Sequence, residues 1–324
     1  MYLITLIDII MIDSIILWLK ADEITGMNVM EELPQKLSNI STTIDKNTNN
    51  IIIKGYLSSL FVLISENGVY ISGSLSKYYY GNNMYTLSFT EIKQAFKMIE
   101  NQLNIPIEKA KVQRLDIAEN FIVDYPAENY WQCLGDMTYY NRQEMNNGVY
   151  YNGSNKTLSF YDKGYERKVK KKGVPECYIG KNVLRYELRF MKRLGKQFDR
   201  QFLYVSDLIL ESFFAELLDK YKMQYEKIHK YQSIIHYSDL LINDLAQFRN
   251  QIKLLGMQAL GGEAALLNTV NQARKDKAFK NNMHATRVIQ DIKKTYQSNV
   301  FTESHSLVRE LETIIATKVE GYLE

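Results

Sequence analysis

Apolar and polar residues alternate along much of the first two hundred positions, which predicts strands, because residues two apart share one face of a strand. The segment Asp13–Leu19 is rich in apolar residues and is predicted as a buried strand. Ile51–Ile53 is a short β-branched run, and Tyr56–Ser65 and Val69–Leu75 flank an Asn-Gly pair, which favours a hairpin. Apolar residues recur at helical spacing in Thr90–Leu103, which predicts a helix.

Three further strands are predicted at the centre of the protein, at Val112–Phe121, Thr157–Lys163 and Val183–Phe190. Each has one mainly apolar face and one polar face. Between the first two, Pro126–Leu134 is predicted as a helix, and Tyr150–Tyr151 as a strand that enters a turn. If the three strands pair in one sheet, the polar face presents Asp116, Glu187, Tyr161, Lys163, Arg185 and Arg189.

The pattern changes at about Val205, after which apolar residues recur at helical spacing. Ser206 is predicted as an N-cap. Four or five helices are predicted, with breaks near Gln232–Ser233, Gly261–Gly262, Asn281–Asn282 and Ser298–Asn299. The expected fold class is α+β, with an antiparallel-sheet domain over residues 11–204 and a helical domain over residues 205–324. Residues 1–10 are either part of the fold or an upstream extension, with Met11 as a second candidate start.

Composition is that of a globular protein, with 46% hydrophobic and 24% charged residues. Two cysteines are too few for a disulfide framework, so a reducing, cytoplasmic setting is expected. Asp8 and Asp13 interrupt the apolar start of the chain, which argues against a membrane anchor. No membrane partner is therefore expected.

The net charge of +3 is unevenly distributed along the chain. Residues 161–200 hold 13 Lys and Arg against 5 Asp and Glu, a net of +8, whereas residues 201–324 hold 15 of each. A local basic patch is expected where a polyanion such as DNA binds, although a solvated lysine loop would have the same composition.

Several classes of site are excluded by missing residues. All four histidines lie beyond residue 228, which excludes histidine-based metal sites and a Ser-His-Asp triad within the strand domain. There is no CxxC pair, no P-loop motif and no GxGxxG motif, so nucleotide hydrolysis and dinucleotide redox chemistry lack their usual signals.

The polar face still offers chemistry suited to phosphodiesters. Two carboxylates on neighbouring strands, Asp116 and Glu187, could hold a hard divalent cation through oxygen. The Tyr161 phenol, with an ordinary pKa of about 10, needs a metal, a cation or a base before it becomes a good nucleophile. Lysines and arginines would position phosphates and neutralise charge in the transition state. An ordinary solvated sheet face is the plain alternative.

Five segments in order resemble the gene II/X family of phage replication initiators, the rolling-circle nicking proteins of filamentous phages and related elements. They are Met11–Ser14, Gly73–Asn83, Arg114–Asp116, Thr157–Lys163, and Leu184–Arg189 followed by Lys192 and Arg193. The resemblance covers most of residues 11–205 and covers the helical region poorly.

The resemblance implies a tyrosine that attacks the origin phosphodiester, keeps the 5′ phosphate and leaves a 3′ hydroxyl for the host polymerase. By position this is Tyr161, assisted by Lys163, with Tyr165 as a rival nucleophile. Asp116 and Glu187 are the expected ligands of Mg²⁺ or Mn²⁺, with Asn82 where some relatives have histidine. The residues expected to contact origin DNA are Lys77, Arg114, Arg167, Lys168, Arg185, Arg189, Lys192 and Arg193.

Other functions remain open from the sequence. A non-catalytic origin-binding or single-strand-binding protein would use the 24 tyrosines and the basic stretch equally well. A conjugative-type relaxase is disfavoured by the missing histidines. The helical region could recruit a host helicase, contact the duplex or dimerise, and the oligomeric state is left open.

Overall fold

The computed structural model describes residues 12–46, 48–169, 173–230, 244–297 and 306–320. Its strands are β1 (Ile12–Lys20), β2 (Ser38–Ile44), β3 (Ile51–Leu57), β4 (Leu60–Ser65), β5 (Gly68–Ser74), β6 (Lys111–Val123), β7 (Leu134–Met137), β8 (Asn141–Met145), β9 (Gly148–Asn152), β10 (Lys156–Asp162), β11 (Asn182–Phe190) and β12 (Ile228–Lys230). Its helices are α1 (Val29–Glu32), α2 (Leu75–Tyr80), α3 (Phe89–Leu103), α4 (Ala127–Gln132), α5 (Lys163–Val169), α6 (Leu194–Gln197), α7 (Val205–Leu208), α8 (Glu211–Glu226), α9 (Leu245–Ala259), α10 (Gly262–Lys275), α11 (Asn282–Gln297) and α12 (Ser306–Glu320).

In the described residues, ten strands form one antiparallel sheet in the order β2-β3-β4-β5-β1-β6-β11-β10-β9-β8. The remaining two, β7 and β12, pair separately. The strands predicted at the centre of the protein are β6, β10 and β11, and they are neighbours in this sheet. The predicted α+β class, with a large antiparallel sheet and a helical C-terminal region, is confirmed.

The apolar face of the central strands is covered by helix α8 through stacked aromatic rings. Phe160 stacks on Tyr186 with ring centroids 4.3 Å apart, and Tyr186 stacks on Tyr221 of α8 at 4.1 Å. The two tyrosine hydroxyls donate to each other's backbone carbonyls, at 3.1 and 3.0 Å, so neither buried phenol lacks a partner. This packing buries one face of the sheet and leaves the polar face for other contacts.

Several predicted boundaries are corrected by the structure. Tyr56–Ser65 is two strands rather than one, because a turn at Ser58, with φ 54°, separates β3 from β4. The hairpin around the Asn-Gly pair is confirmed as β4–β5. Lys163 does not continue strand β10 but is the first residue of α5. Tyr204, not Ser206, is the N-cap of α7.

The helical region after Val205 comprises six described helices, α7 to α12, and the predicted breaks at Gly261–Gly262 and Asn281–Asn282 are confirmed. The predicted breaks at Gln232–Ser233 and Ser298–Asn299 lie outside the described residues, as do Met1 and Met11. Four short strands that the sequence pattern did not predict are β2, β7, β8 and β12.

The chain forms two compact units: Met1–Lys230 together with Glu310–Glu324, and Tyr231–Arg309. In the second unit, α9, α10 and α11 pack around Val270, Ala285 and Ile292. Helices α7 and α8 belong to the unit with the sheet, and the two-domain boundary at 204/205 stays a prediction. Of the helices described, none has the length and apolarity needed to cross a membrane.

Candidate active site

The polar face of the central strands is assembled by their register. Asp116 pairs with Arg189 between β6 and β11, and Tyr161 pairs with Arg185 between β10 and β11. Paired residues in neighbouring strands project to the same side, so these side chains converge. Strand β1 adds Asp13 to the same face, beside a register shift between Ile12 and Ser14. The convergence that the alternation predicted is therefore present.

Arg189 lies between the two carboxylates that were predicted to hold a metal ion. Its Nε donates to Asp116 Oδ2 at 3.0 Å, and its Nη2 donates to Glu187 Oε1 at 2.8 Å. Arg114 binds Asp116 through both Nε and Nη2. Burial raises the pKa of Asp116, and the hydrogen bond from Arg114 and the charge of Arg189 oppose that rise. Two guanidinium groups thus neutralise one almost fully buried carboxylate.

Arg185 is a buried cation of this face, with 3% of its surface exposed. Its Nη2 lies 3.0 Å from Asp13 Oδ2, and its Nη1 donates to Asn120 Oδ1 at 3.1 Å. Asp13 also accepts hydrogen bonds from the hydroxyls of Ser14 and Ser74. Burial by itself would lower the pKa of Arg185, but nearby negative charge, chiefly that of Asp13, raises it. Arg185 therefore stays charged.

The Tyr161 hydroxyl donates to Glu187 Oε2 at 3.3 Å. Burial raises its pKa far above 10, which the positive charge of Arg185 opposes and the charge of Glu187 reinforces. The phenol is therefore neutral at physiological pH. Its proton is directed at a carboxylate that could accept it.

Lys163 is a second buried cation, with 1% of its surface exposed. Its Nζ lies 2.5 Å from Glu166 Oε2 and 5.7 Å from the centroid of the Tyr161 ring. Burial and the charge of Arg185 lower the pKa of Lys163 to about 8, while Glu166 opposes that decrease. Although Lys163 starts a helix instead of ending a strand, it still lies beside the predicted nucleophile.

A cavity of about 440 Å³ opens beside these groups and is lined by Tyr161, Tyr165, Glu187 and Arg189 among others. The close approach of β9 to Tyr161 depends on Gly148, because a Cβ there would lie 2.6 Å from the Tyr161 Cβ. The rival nucleophile Tyr165 is 47% exposed and its backbone N–H donates to Asp162 Oδ1. Both tyrosines therefore border the same space, and only Tyr161 has its hydroxyl bonded to Glu187.

The oxygens of Asp116 and Glu187, the two predicted metal ligands, already accept hydrogen bonds. Both oxygens of Asp116 accept from arginines, and those of Glu187 accept from Arg189 and Tyr161. Within the described ranges, no group of three or more His, Cys, Asp or Glu residues is arranged to hold a metal ion. In this arrangement the residues do not fit a divalent ion, because a guanidinium occupies the position between the carboxylates. The need for Mg²⁺ or Mn²⁺ stays a prediction.

Two other predicted site residues, Asn82 and Arg167, are held by local hydrogen bonds to the backbone. Asn82 Oδ1 accepts from the backbone N–H of Met84 at 2.9 Å, so the amide oxygen closes a turn. Arg167 is buried and its Nη2 donates to the carbonyl of Gly173. Of the residues predicted to contact DNA, four are exposed and so accessible to a phosphate backbone: Lys77, Lys168, Lys192 and Arg193.

The family described as the N-terminal region of a phage replication-associated protein matches residues 11–213, well over half of the chain. The chain belongs to this family. No curated protein is found to match it.

The matched range of this phage replication-associated family begins just before β1 and ends within α8. It contains the whole polar face, from Asp13 to Arg189. The resemblance inferred from sequence motifs is thus supported at the level of phage replication proteins, and a role in replication initiation follows from the family.

Three members of the site were not selected from the sequence: Asp13, Asn120 and Glu166. Asp13 carried a usable signal, because an acid within a buried apolar strand needs a partner. Asn120 shares the polar face of β6 with Asp116, and alternation alone placed it there. Glu166 could not be found from strand alternation, because it reaches Lys163 only through the helical turn of α5.

Proposed function

We propose that this chain is a gene II/X-type initiator that nicks one strand of origin DNA by tyrosine transesterification. The observation that carries the proposal is the position of Tyr161, which borders an open cavity, donates its hydroxyl hydrogen to Glu187 and pairs with Arg185 across the β10–β11 pair. A phenol, a carboxylate base and fixed cations are the groups that phosphoryl transfer to a tyrosine requires.

The proposed reaction begins with attack of the Tyr161 oxygen on the scissile phosphorus. Glu187 takes the phenolic proton as the new oxygen–phosphorus bond forms. The bond from phosphorus to the 3′ oxygen breaks, that oxygen takes a proton from water to become the 3′ hydroxyl, and Glu187 releases the phenolic proton to water. The 5′ phosphate stays on the tyrosine. Arg189 and Arg185 stabilise the negative charge that develops on the phosphoryl oxygens.

Two further roles follow from the neighbours of Tyr161. Lys163, paired with Glu166, holds positive charge beside the ring and would stabilise the phenolate as it forms. The exposed cations Lys77, Lys168, Lys192 and Arg193 would contact the phosphate backbone. The 3′ hydroxyl would serve the host polymerase, and a host helicase would unwind the nicked duplex.

A nicking assay tests this proposal. Purified protein is incubated with supercoiled DNA of the parent replicon and Mg²⁺, Mn²⁺ or EDTA, and the 5′ end of each nick is examined for attached protein. We expect nicking and a covalent adduct with wild type and Tyr165→Phe, and neither with Tyr161→Phe. An adduct that survives Tyr161→Phe and disappears in Tyr165→Phe would move the chemistry to Tyr165. Activity in EDTA would contradict the predicted metal requirement.

One observation favours a second function, a non-catalytic origin-binding or single-strand-binding protein. Tyr161 has a raised pKa, and the carboxylates beside it are already paired with arginines. Such a network suits a static basic surface as well as a catalyst. Wild-type protein that binds the origin and never nicks it, with either metal, would establish this second function.

A further inference from the structure

A second cavity, of about 550 Å³, lies at the C-terminal part of strand β6. Its lining includes Tyr80, Tyr85, Glu119, Asn120, Phe121 and Tyr178. It shares no lining residue with the cavity at Tyr161. Its volume is in the range of sites that hold small molecules or single groups of a larger ligand.

Glu119 gives this cavity a buried hydrogen-bond acceptor that lacks a donor among the described residues. The side chain is 3% exposed, and its Oε1 accepts from the backbone N–H of Asn120 and the hydroxyl of Thr86. In the described part of the chain, Oε2 has no hydrogen-bond partner. Buried polar atoms are nearly always bonded, so an acceptor that lines a cavity and lacks a donor indicates a ligand that supplies one.

Aromatic rings form much of the remaining wall. Tyr80 and Tyr85 are 37% and 42% exposed, and their ring centroids lie 5.6 Å apart in an edge-to-face arrangement. Phe121 and Tyr178 line the same space. Exposed aromatic rings next to a polar acceptor are the features by which proteins stack and read an unpaired base.

We infer that this cavity binds one unpaired nucleobase of the DNA strand, with an N–H group donating to Glu119 Oε2 and the base plane against the tyrosines. This inference rests on the proposed function, since it assumes that the polar face handles a DNA strand. It adds a site that reads base identity to a site that cleaves the backbone.

The chemistry of Glu119 sets the preferred base. Guanine presents two adjacent N–H donors, and adenine and cytosine each present an exocyclic amine. Thymine has one N–H between two carbonyl oxygens, which a carboxylate repels. Because Oε1 of Glu119 is already bonded, one N–H donor can be accepted at Oε2, so the cavity favours guanine, adenine or cytosine over thymine.

Asn120 connects this cavity to the polar face. It lines the cavity, its Nδ2 donates to the carbonyl of Met84 at 2.9 Å, and its Oδ1 accepts from Arg185 at 3.1 Å. A base held at Glu119 is therefore one side chain away from a guanidinium that the proposed reaction uses. Reading and cleavage would act on the same strand.

Fluorescence anisotropy with labelled single-stranded 12-mers tests the inference. We expect wild type to bind d(TG)6 about tenfold more tightly than dT12, the discrimination of one good base contact. Glu119→Gln replaces the open acceptor with a donor, so the preference should vanish or reverse towards dT12. Glu128→Gln, an exposed glutamate of α4, is the matched control and should keep the wild-type preference.

A second variant, Tyr85→Ala, tests the same cavity independently in case Glu119→Gln does not fold. Tyr85→Ala, at an exposed ring, should weaken binding of d(TG)6 and dT12 alike by removing a stacking surface. The inference is overturned if wild type shows no preference, if neither 12-mer binds, or if Glu119→Gln folds and keeps the preference. Tyr161→Phe separates the two proposals, because it should lose nicking and retain the preference for d(TG)6.

Discussion

The Tyr161 hydroxyl donates to Glu187 Oε2 across the β10–β11 pair at 3.3 Å. These residues are 26 positions apart in sequence and belong to neighbouring strands. We therefore expect Glu187→Gln to lower the nicking rate by about 100-fold or more, because an amide cannot accept the phenolic proton. Gel quantification of nicked circles measures the rate, and anisotropy with origin duplex should show retained binding. A wild-type rate in this variant would remove Glu187 from the chemistry.

The lowered pKa of Lys163 leads us to expect that the free energy of unfolding of the protein depends on pH. Burial lowers its folded-state pKa to about 8, from 10.5 in the unfolded chain. Between these values the unfolded chain binds more protons, so the free energy of unfolding rises with pH. Lys163→Met should reduce this slope by up to about 1.4 kcal/mol per pH unit.

Urea unfolding between about pH 8 and about pH 9.5, below the ordinary tyrosine titration, measures the slope. Lys168→Met, at an exposed lysine of the same helix, is the control and should leave it unchanged. Equal slopes in wild type and Lys163→Met would mean that Lys163 keeps an ordinary pKa in the folded protein.

The buried pair of Asp13 and Arg185 predicts a large loss of stability when one partner is removed. Asp13→Asn leaves Arg185 buried with less compensating charge, so the free energy of unfolding should fall by about 3–5 kcal/mol. Chemical denaturation measures this change, with Asp136→Asn, an exposed aspartate of β7, as control. A loss no larger than that of the control would show that Asp13 contributes little to the fold.

Because Arg189 lies between Asp116 and Glu187, we expect its removal to change how these two carboxylates bind metal ions. With Arg189→Gln, Asp116 and Glu187 lose the cation between them. Glu187 Oε1 then loses its arginine donor and Asp116 keeps Arg114 alone, so the pair of carboxylates is more accessible to Mg²⁺ than in wild type. We expect millimolar Mg²⁺ to raise the melting temperature of this variant more than that of wild type. Adding Asp116→Asn should abolish the difference. A larger increase in wild type would indicate that the ion binds without displacing Arg189.

The close approach of β9 to β10 beside Tyr161 requires a residue without a side chain at Gly148. A Cβ at this position would meet the Phe160 carbonyl oxygen at 2.2 Å, so Gly148→Ala must push β9 away from β10. We expect about 1–3 kcal/mol of destabilisation and slower nicking. Gly173→Ala is the control, because a Cβ there has no atom within 4 Å. Thermal unfolding and the nicking assay give both readouts, and matching results for the two variants would contradict the prediction.

The central strands and the polar face could be predicted from the sequence, because alternation is a local property of an extended chain. Asp116, Arg185, Glu187 and Arg189 share a face for that reason, and β6, β10 and β11 are strands close to their predicted bounds. The turn at Ser58 was missed because its sequence signal, the pair Ser58-Ser59 within an apolar run, is weaker than a turn marked by Gly, Pro or Asn.

Tertiary structure decided how the charges on that face are paired. Alternation places Arg189 beside Asp116 and Glu187 but does not say that the guanidinium lies between them, since that depends on strand order and register. Glu119 is the clearest case. By alternation Glu119 shares a face of β6 with Leu115, Ile117 and Phe121, whereas its unpartnered oxygen and the tyrosines around it depend on segments distant in the chain. Local patterns determine which side of a strand a residue occupies, and only the packing of distant segments determines what it meets there.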